Sequence, residues 1–384
     1  MPKQAETAND LPKGWNIVQL KEILKVKHGK NQNDVVSSEG NYPILGSGGQ
    51  IGKATKYLYD KPSVLIGRKG TINVPRFIET PFWTIDTLFY TEISPLAFPR
   101  FVYYMFKTID WYSYNEASGV PSLSSSTIES IKVTLPPLLE QQRISRVLQS
   151  VDVTLEAARE TQAQAQRLRD KVGEQLLTQK KYTNHKLRDI CIKVTDGTHQ
   201  SVKLSEQGTI PFLYISSVGA RFINWKTENK ITSETHSIIS KGRETKSGLI
   251  LYTAVGSYGY AARVRVNRPF GFQRHIAYVL PDEQKVNPDF LEIYLNSATA
   301  RQYADSVAVG NAQKTVTLGE LAKFPIPLPP LPEQQRIVSI LETFDQRLSA
   351  ASAYVCQLEQ LKKKLLQALL TGQVRVPMPA KEQP

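Results

Sequence analysis

One phrase occurs twice in this chain, and it limits what the chain can fold into more than any other feature. Leu135-Pro-Pro-Leu-Leu-Glu-Gln-Gln-Arg-Ile144 returns as Leu328-Pro-Pro-Leu-Pro-Glu-Gln-Gln-Arg-Ile337. At the same offset and without a gap, Leu148 falls on Leu341, Asp152 on Asp345, Leu155 on Leu348, Leu168 on Leu361, and Leu176-Leu177-Thr178 on Leu369-Leu370-Thr371. Two homologous segments of equal length therefore follow two different stretches of chain.

Each segment reads as one long helix. Proline is tolerated in the first turn, where its missing N–H has no intrahelical partner. Glu140 and Glu333 then face the positive end of the helix dipole. Apolar residues step by four and three through Ile144, Leu148, Val151 and Leu155, and through Ile337, Leu341, Phe344 and Leu348, which is the pattern of a coiled-coil seam. Leu168 and Leu361 arrive one residue early in both copies, which predicts a shared overwinding with both leucines in the seam. Runs of about 40 residues make helices on the order of 60 Å long, too long to be stable alone. Two equal helices can pair antiparallel within one molecule, giving an internal pseudo-two-fold axis with a globular body at each end.

The bodies themselves are mixed. Leu20, Glu22 and Ile23 find echoes in Leu187, Asp189 and Ile190, and Tyr42-Pro-Ile-Leu45 in Ile210-Pro-Phe-Leu213, so the duplication extends beyond the helices. In the first body, residues 63–66 and 83–93 read as strands and 101–106 as a helix. In the second, residues 249–254, 261–266 and 276–280 read as strands, with a helix over 289–296 after Pro288. Residues 46–49, 67–70, 196–197, 218–219 and 256–259 are glycine-bearing loops. The expected class is α+β, two mixed α/β domains joined by two long helices in an antiparallel intramolecular coiled coil. Residues 1 to about 12 and the proline-rich tail from 374 to 384 read as flexible.

The net charge of +13 is spread over both bodies rather than held in a tail, which favours an extended polyanion as partner. The two cysteines, Cys191 and Cys356, lack metal-ligand spacing and fit a reducing interior. No apolar run approaches the roughly 18 residues of a membrane span, and the polar first residues carry no signal core, so the expectation is a cytoplasmic protein.

Familiar catalytic patterns fail one by one. Residues 47–54 resemble a phosphate-binding loop, but Ser47 replaces its first glycine and Ala54 its magnesium-binding hydroxyl. Pro281-Asp282-Glu283-Gln284-Lys285 lacks the strand that a nuclease places between its acidic residues. The histidines include no i, i+4 pair for zinc. No Asn/Asp-Pro-Pro-Tyr/Phe stretch of an amino-methyltransferase is present. What remains suits the reading of bases and phosphates: Arg68, Lys69 and Arg76 near Phe82-Trp83, then Arg221, Trp225 and Lys226, then Arg263, Arg265 and Arg268 with Gln273-Arg274-His275. Arginine can grip guanine and glutamine adenine, while lysine mostly anchors phosphate. Any one of these could equally belong to a solvated strand face.

With its Pro-Pro-Leu-x-Glu-Gln-Gln-Arg-Ile helix present twice behind two dissimilar bodies, the chain resembles the specificity subunit of type I restriction–modification enzymes over nearly its whole length. Asp196-Gly197-Thr198-His199 looks like the opening of one common class of recognition domain, which adds Thr198, His199 and Gln200 to the candidate DNA contacts. Gln313 and Lys314, after Gly310, sit where the family often carries a glycine and a glutamine, whereas residues 119–122 of the first body depart from that pattern.

The resemblance implies target-recognition domains at 1–134 and 183–327, helical regions at 135–182 and 328–373, and a tail at 374–384. It implies a non-catalytic subunit that binds double-stranded DNA at a split, asymmetric site and recruits two modification subunits, with a restriction subunit in some systems. It implies no cofactor on this chain, S-adenosylmethionine, ATP and magnesium belonging to partners, and a bacterial or archaeal cytoplasm. Two bodies on paired helices could dock about one turn of duplex apart, roughly 34 Å. Gln141, Gln142, Arg143, Gln334, Gln335 and Arg336 are the candidates for docking the partners, or solvated flanks of the helices. A stand-alone bipartite DNA-binding protein and a coiled-coil protein scaffold are the rival readings.

Overall fold

The structure, a computed structural model, describes residues 11–179, 181–311 and 313–376. The expected flexible start up to residue 10 and the tail from 377 lie outside them. The chain divides into two compact units, Met1–Glu160 with Ala353–Pro384, and Thr161–Ser352. Each unit therefore holds one body together with half of each long helix.

The long helices are Leu138–Leu177 and Leu331–Leu370, 40 residues each. Both start behind the proline pairs, where the Glu140 and Glu333 amides donate to the Pro137 and Pro330 carbonyls, each at 2.9 Å. They pair antiparallel in both units. In the first, Lys362 meets Asp152 and Arg159 meets Glu359 at 2.5 Å; in the second, Gln162 meets Ser352 at 2.7 Å and Arg169 meets Asp345 at 2.9 Å.

The seam differs from the expectation at one place in each copy. Leu168 is 52% exposed and Leu361 45%, so neither lies in the seam. The partly buried line instead keeps strict phase from Leu155 through 158, 162 and 165 to Arg169, and from 348 through 351, 355 and Leu358 to Lys362. The overwinding is therefore absent. A cation stands where an apolar residue was sought, and it is neutralised by the aspartate across the pair.

That aspartate also ties helix to body. Asp152 accepts a second bond from the Tyr104 hydroxyl at 2.9 Å, and burial, with this bond adding to it, raises the tyrosine pKa. Its repeat equivalent Asp345 accepts one from Arg221. Elsewhere Ile144, Leu148, Leu369 and Leu370 enter the core of the first unit, and Leu177, Ile337, Val338 and Leu341 that of the second. Burying one such leucine contributes roughly 1.5–3 kcal/mol.

The two bodies share one topology. In the first, Leu24–Lys27, Leu88–Ile93, Ser63–Gly67 and Arg76–Ile78 form an antiparallel sheet in that order, and Gly49–Ala54, Tyr42–Gly46 and Trp83–Thr84 a smaller one. In the second, Cys191–Asp196, Ile276–Pro281, Ile250–Thr253 and Ala261–Arg263 repeat the larger sheet, and Lys230–Ile231, Ile210–Leu213 and Gly271–Phe272 the smaller. Each smaller sheet pairs its last two strands parallel. Asn16–Gln19 pairs with Lys132–Leu135, and Thr183–Lys186 with Pro325–Leu328, at the entry to each long helix.

Ser63–Gly67 and Ile250–Thr253 are buried along their whole length because both faces are covered, which is why they read as unbroken apolar runs. The expected strand over 83–93 is two strands in different sheets, separated by a turn in which the Leu88 amide donates to Ile85 O at 3.0 Å. The helices Pro99–Phe106 and Pro288–Leu295 both begin with proline. Behind the second, Ser297 caps the helix Ala298–Val307 by accepting from the Ala300 amide.

Candidate nucleic-acid interface

The register of each larger sheet gathers several loops at one edge. In the second body Thr253 lies opposite Ile276 and Asp196 opposite Ala277, so the loops at 197–200, 254–260 and 273–275 leave the same edge. A fourth segment joins them where the Gly256 amide donates to Lys314 O at 2.8 Å and Val255 pairs with Thr315. This edge brings together Thr198, His199, Gln200, Gln273, Arg274, Gln313 and Lys314. Thr198 is buried, with Oγ1 accepting the Gln200 amide at 3.1 Å, while His199, Gln200, Arg274, Gln313 and Lys314 are exposed. His199 shares a hydrogen bond of 2.5 Å with the Asp196 carboxylate.

The same edge of the first body carries Arg68, Lys69 and Arg76. Gly67 lies opposite Leu88, and the Gly70 amide donates to Pro121 O at 2.9 Å. Arg76 braces the loop at 46–49, donating to Gly46 O at 3.4 Å and Ser47 O at 3.2 Å. Arg68 donates to Asp86 O at 3.3 Å. Among the described residues no carboxylate lies within ion-pairing distance of Lys30, Lys69, Arg274 or Lys314. Their charge remains available to a polyanion.

Three other expected contacts are placed differently. Arg221, Arg263 and Arg265 converge on Glu292, Asp289 and Asp345. Glu292 is wholly buried; it accepts from the Arg263 amide and takes Arg265 at 3.0 and 2.6 Å. A buried carboxylate is tolerated when it is paired and hydrogen-bonded in this way. Arg221 reaches it from a left-handed backbone with φ 58°. Lys226 is exposed beside Trp225, over which Arg268 lies at 4.2 Å.

The residues expected to dock partners are also divided. Gln141 and Gln334 are both 0% exposed. Gln141 accepts the Phe98 amide at 2.7 Å and donates to Pro136 O at 2.8 Å and Leu96 O at 3.2 Å. Gln334 does the same with the Asn287 amide, Pro329 O and Lys285 O. Each side-chain amide holds three backbone groups from a fully buried position, so these two are internal clamps rather than docking surface.

Gln142 and Arg143 are half-buried, and Gln335 accepts from Asn287 Nδ2 at 2.8 Å. Arg336 chelates Glu333 at 2.7 and 2.8 Å and, with help from the Tyr182 hydroxyl, holds that carboxyl down at about 2. In the first unit Trp15 and Arg375 grip the equivalent Glu140, at 3.1 Å and at 2.6 and 2.8 Å. The tail expected to be flexible from residue 374 is thus held at least to Arg375.

Among the described residues no group of three or more His, Cys, Asp or Glu could hold a metal ion, and no helix is long and apolar enough to cross a membrane. The family model for the type I restriction modification DNA specificity domain matches residues 12–166 and again 179–353. The MjaVIII specificity subunit of a type I restriction enzyme from Methanocaldococcus jannaschii is 21% identical, covering 95% of this chain and 94% of its own. The EcoDI specificity subunit from Escherichia coli is also 21% identical, over 97% and 92%. The crystal structure of the type I restriction–modification S subunit from M. genitalium superposes with a TM-score of 0.62 at 16% identity, covering 99% of this chain and all of that one, a likeness of fold.

Proposed function

The chain belongs to the family of type I restriction–modification DNA specificity subunits, and on that footing we propose that it reads a bipartite, asymmetric duplex site, one half with each body. It is the non-catalytic subunit that recognises DNA and works with modification and restriction subunits. The methyl-transfer chemistry, with its S-adenosylmethionine, and any ATP- and magnesium-dependent cleavage fall to those partners. We take the stoichiometry to be two modification subunits, matching the two copies of the helix.

One observation carries the bipartite reading: two bodies of one topology present the same set of loops at the same sheet edge, filled with different side chains. Equal scaffolds argue for equal tasks, and unequal loops for unequal half-sites. Lys30, Lys69 and Lys314 supply phosphate contacts, which fix position without carrying sequence. Arg221, Arg263 and Arg265 serve the scaffold by neutralising buried and half-buried carboxylates. Gln142, Arg143, Gln335 and Arg336 remain the candidate partner surface.

The test is selection from a random duplex pool by the complex of this chain with its modification subunit. An enriched split motif with unlike halves, bound more weakly as salt rises, is the expected result. Enrichment of one uninterrupted motif, or none, would refute the bipartite reading.

A further inference from the structure

The backbone matches the two loop sets residue by residue, although their sequences do not. Ile85 N donates to Leu45 O at 3.0 Å, as Gln273 N does to Leu213 O at 3.1 Å. Lys30 N donates to Thr84 O at 2.8 Å, as Thr198 N does to Phe272 O at 3.1 Å. A Cβ on Gly29 would collide with the carbonyls of Thr84 and Ile85, and one on Gly197 with those of Phe272 and Gln273. Only glycine allows either crossing. Gly70 and Gly256 share a left-handed backbone, φ 85° and 70°, and their amides bond Pro121 O and Lys314 O. These bonds align Asn31 with His199, Asp86 with Arg274, and Val120 with Gln313.

All six of these side chains are exposed, Val120 by 67%, so each pair occupies one surface position of the shared scaffold. Their chemistry differs in the terms that separate base edges. Arginine and glutamine offer donors to guanine and adenine, aspartate accepts from the cytosine amino group, asparagine pairs with adenine, and an aliphatic side chain packs on the thymine methyl. Asp86 is the telling member. An exposed carboxylate on the residue whose backbone carbonyl accepts from Arg68 weakens phosphate binding there, which is unfavourable on a purely electrostatic surface and useful where a base amino group is read.

We propose that Asn31, Asp86 and Val120 are the specificity-determining residues of the first body, equivalent to His199, Arg274 and Gln313 in the second. The proposal rests on the bipartite reading above. It makes the half-sites differ because three equivalent positions carry unlike side chains, most sharply the acceptor carboxylate of Asp86 against the donor guanidinium of Arg274.

The experiment is Asp86→Arg and, separately, Arg274→Asp, each expressed with the modification subunit, with methylated bases mapped across the host DNA. The wild-type chain comes first: if it yields no bipartite motif, the bipartite reading fails and not this assignment. Given that motif, Asp86→Arg should change the preferred base within one half by roughly tenfold or more, the scale of one good base contact. Arg274→Asp should change only the other half. An unchanged motif, or both variants altering the same half, overturns the proposal. Should Asp86→Arg abolish methylation, Asp86→Asn decides instead: relaxed preference in one half supports the assignment, and an intact motif refutes it.

Discussion

Gln141 and Gln334 show how the same residue reads differently before and after folding. A glutamine repeated in the first turn of a polar helix start has the composition of an exposed docking surface, yet both are fully buried and hold three backbone groups each. Nothing in the spacing of one helix says which polar residue turns inward, because two of the three backbone partners of each lie 43 to 49 residues back in the chain. Leaving such groups unsatisfied costs about 1–3 kcal/mol apiece. Gln141→Leu should therefore lower stability by about 2 kcal/mol or more in urea unfolding of the full chain; an unchanged midpoint would contradict the clamp.

The two thiols give a second check at this scale. Burial pushes the Cys191 thiol up to about 12, whereas Cys356 is exposed. A maleimide at pH 8 should label Cys356 and spare Cys191 in a peptide map, since the thiolate is the reacting form. Comparable labelling at both would show the second body to be more open than described.

At the scale of elements, the long helices were legible almost whole. Proline pairs, first-turn glutamates and a four-three apolar rhythm mark their starts and faces, and the observed helices begin within the repeated phrase. The seam was misread only at Leu168 and Leu361, where hydrophobicity pointed to the leucine and the structure uses the neighbouring Arg169 and Lys362. A cation in a seam is visible only once its aspartate partner is known to face it. Replacing both leucines with serine should shift stability by less than about 0.5 kcal/mol, as surface changes do. Leu148→Ala should cost about 2–5 kcal/mol, because a fully buried side chain leaves a cavity. Thermal unfolding of the two variants distinguishes them, and equal losses would contradict this account of the seam.

For the molecule as a whole, the repeat announced a duplicated fold, and the sheets bear this out with matching strand orders in both bodies. The equivalence of the reading loops was not legible. Asn31 and His199, or Asp86 and Arg274, share neither chemistry nor a recognisable context, and only strand register and backbone bonds align them. The candidate contacts named from sequence therefore favoured the second body, where a recognisable Asp-Gly-Thr-His stands, and passed over residues 28–31 in the first. If the paired helices set the distance between half-sites, removing one heptad from both shortens each by about 10 Å. The unread spacer of the motif should then change while both halves persist, and an unchanged spacer would remove that role from the helices.

The measurement that bears most directly on the central claim is expression of this chain with its modification subunit, followed by mapping of methylated bases in the host DNA. The account predicts methylation confined to one asymmetric split motif and lost when this chain is omitted. Methylation without a motif, or a motif that persists without the chain, would contradict its role as the subunit that chooses the site.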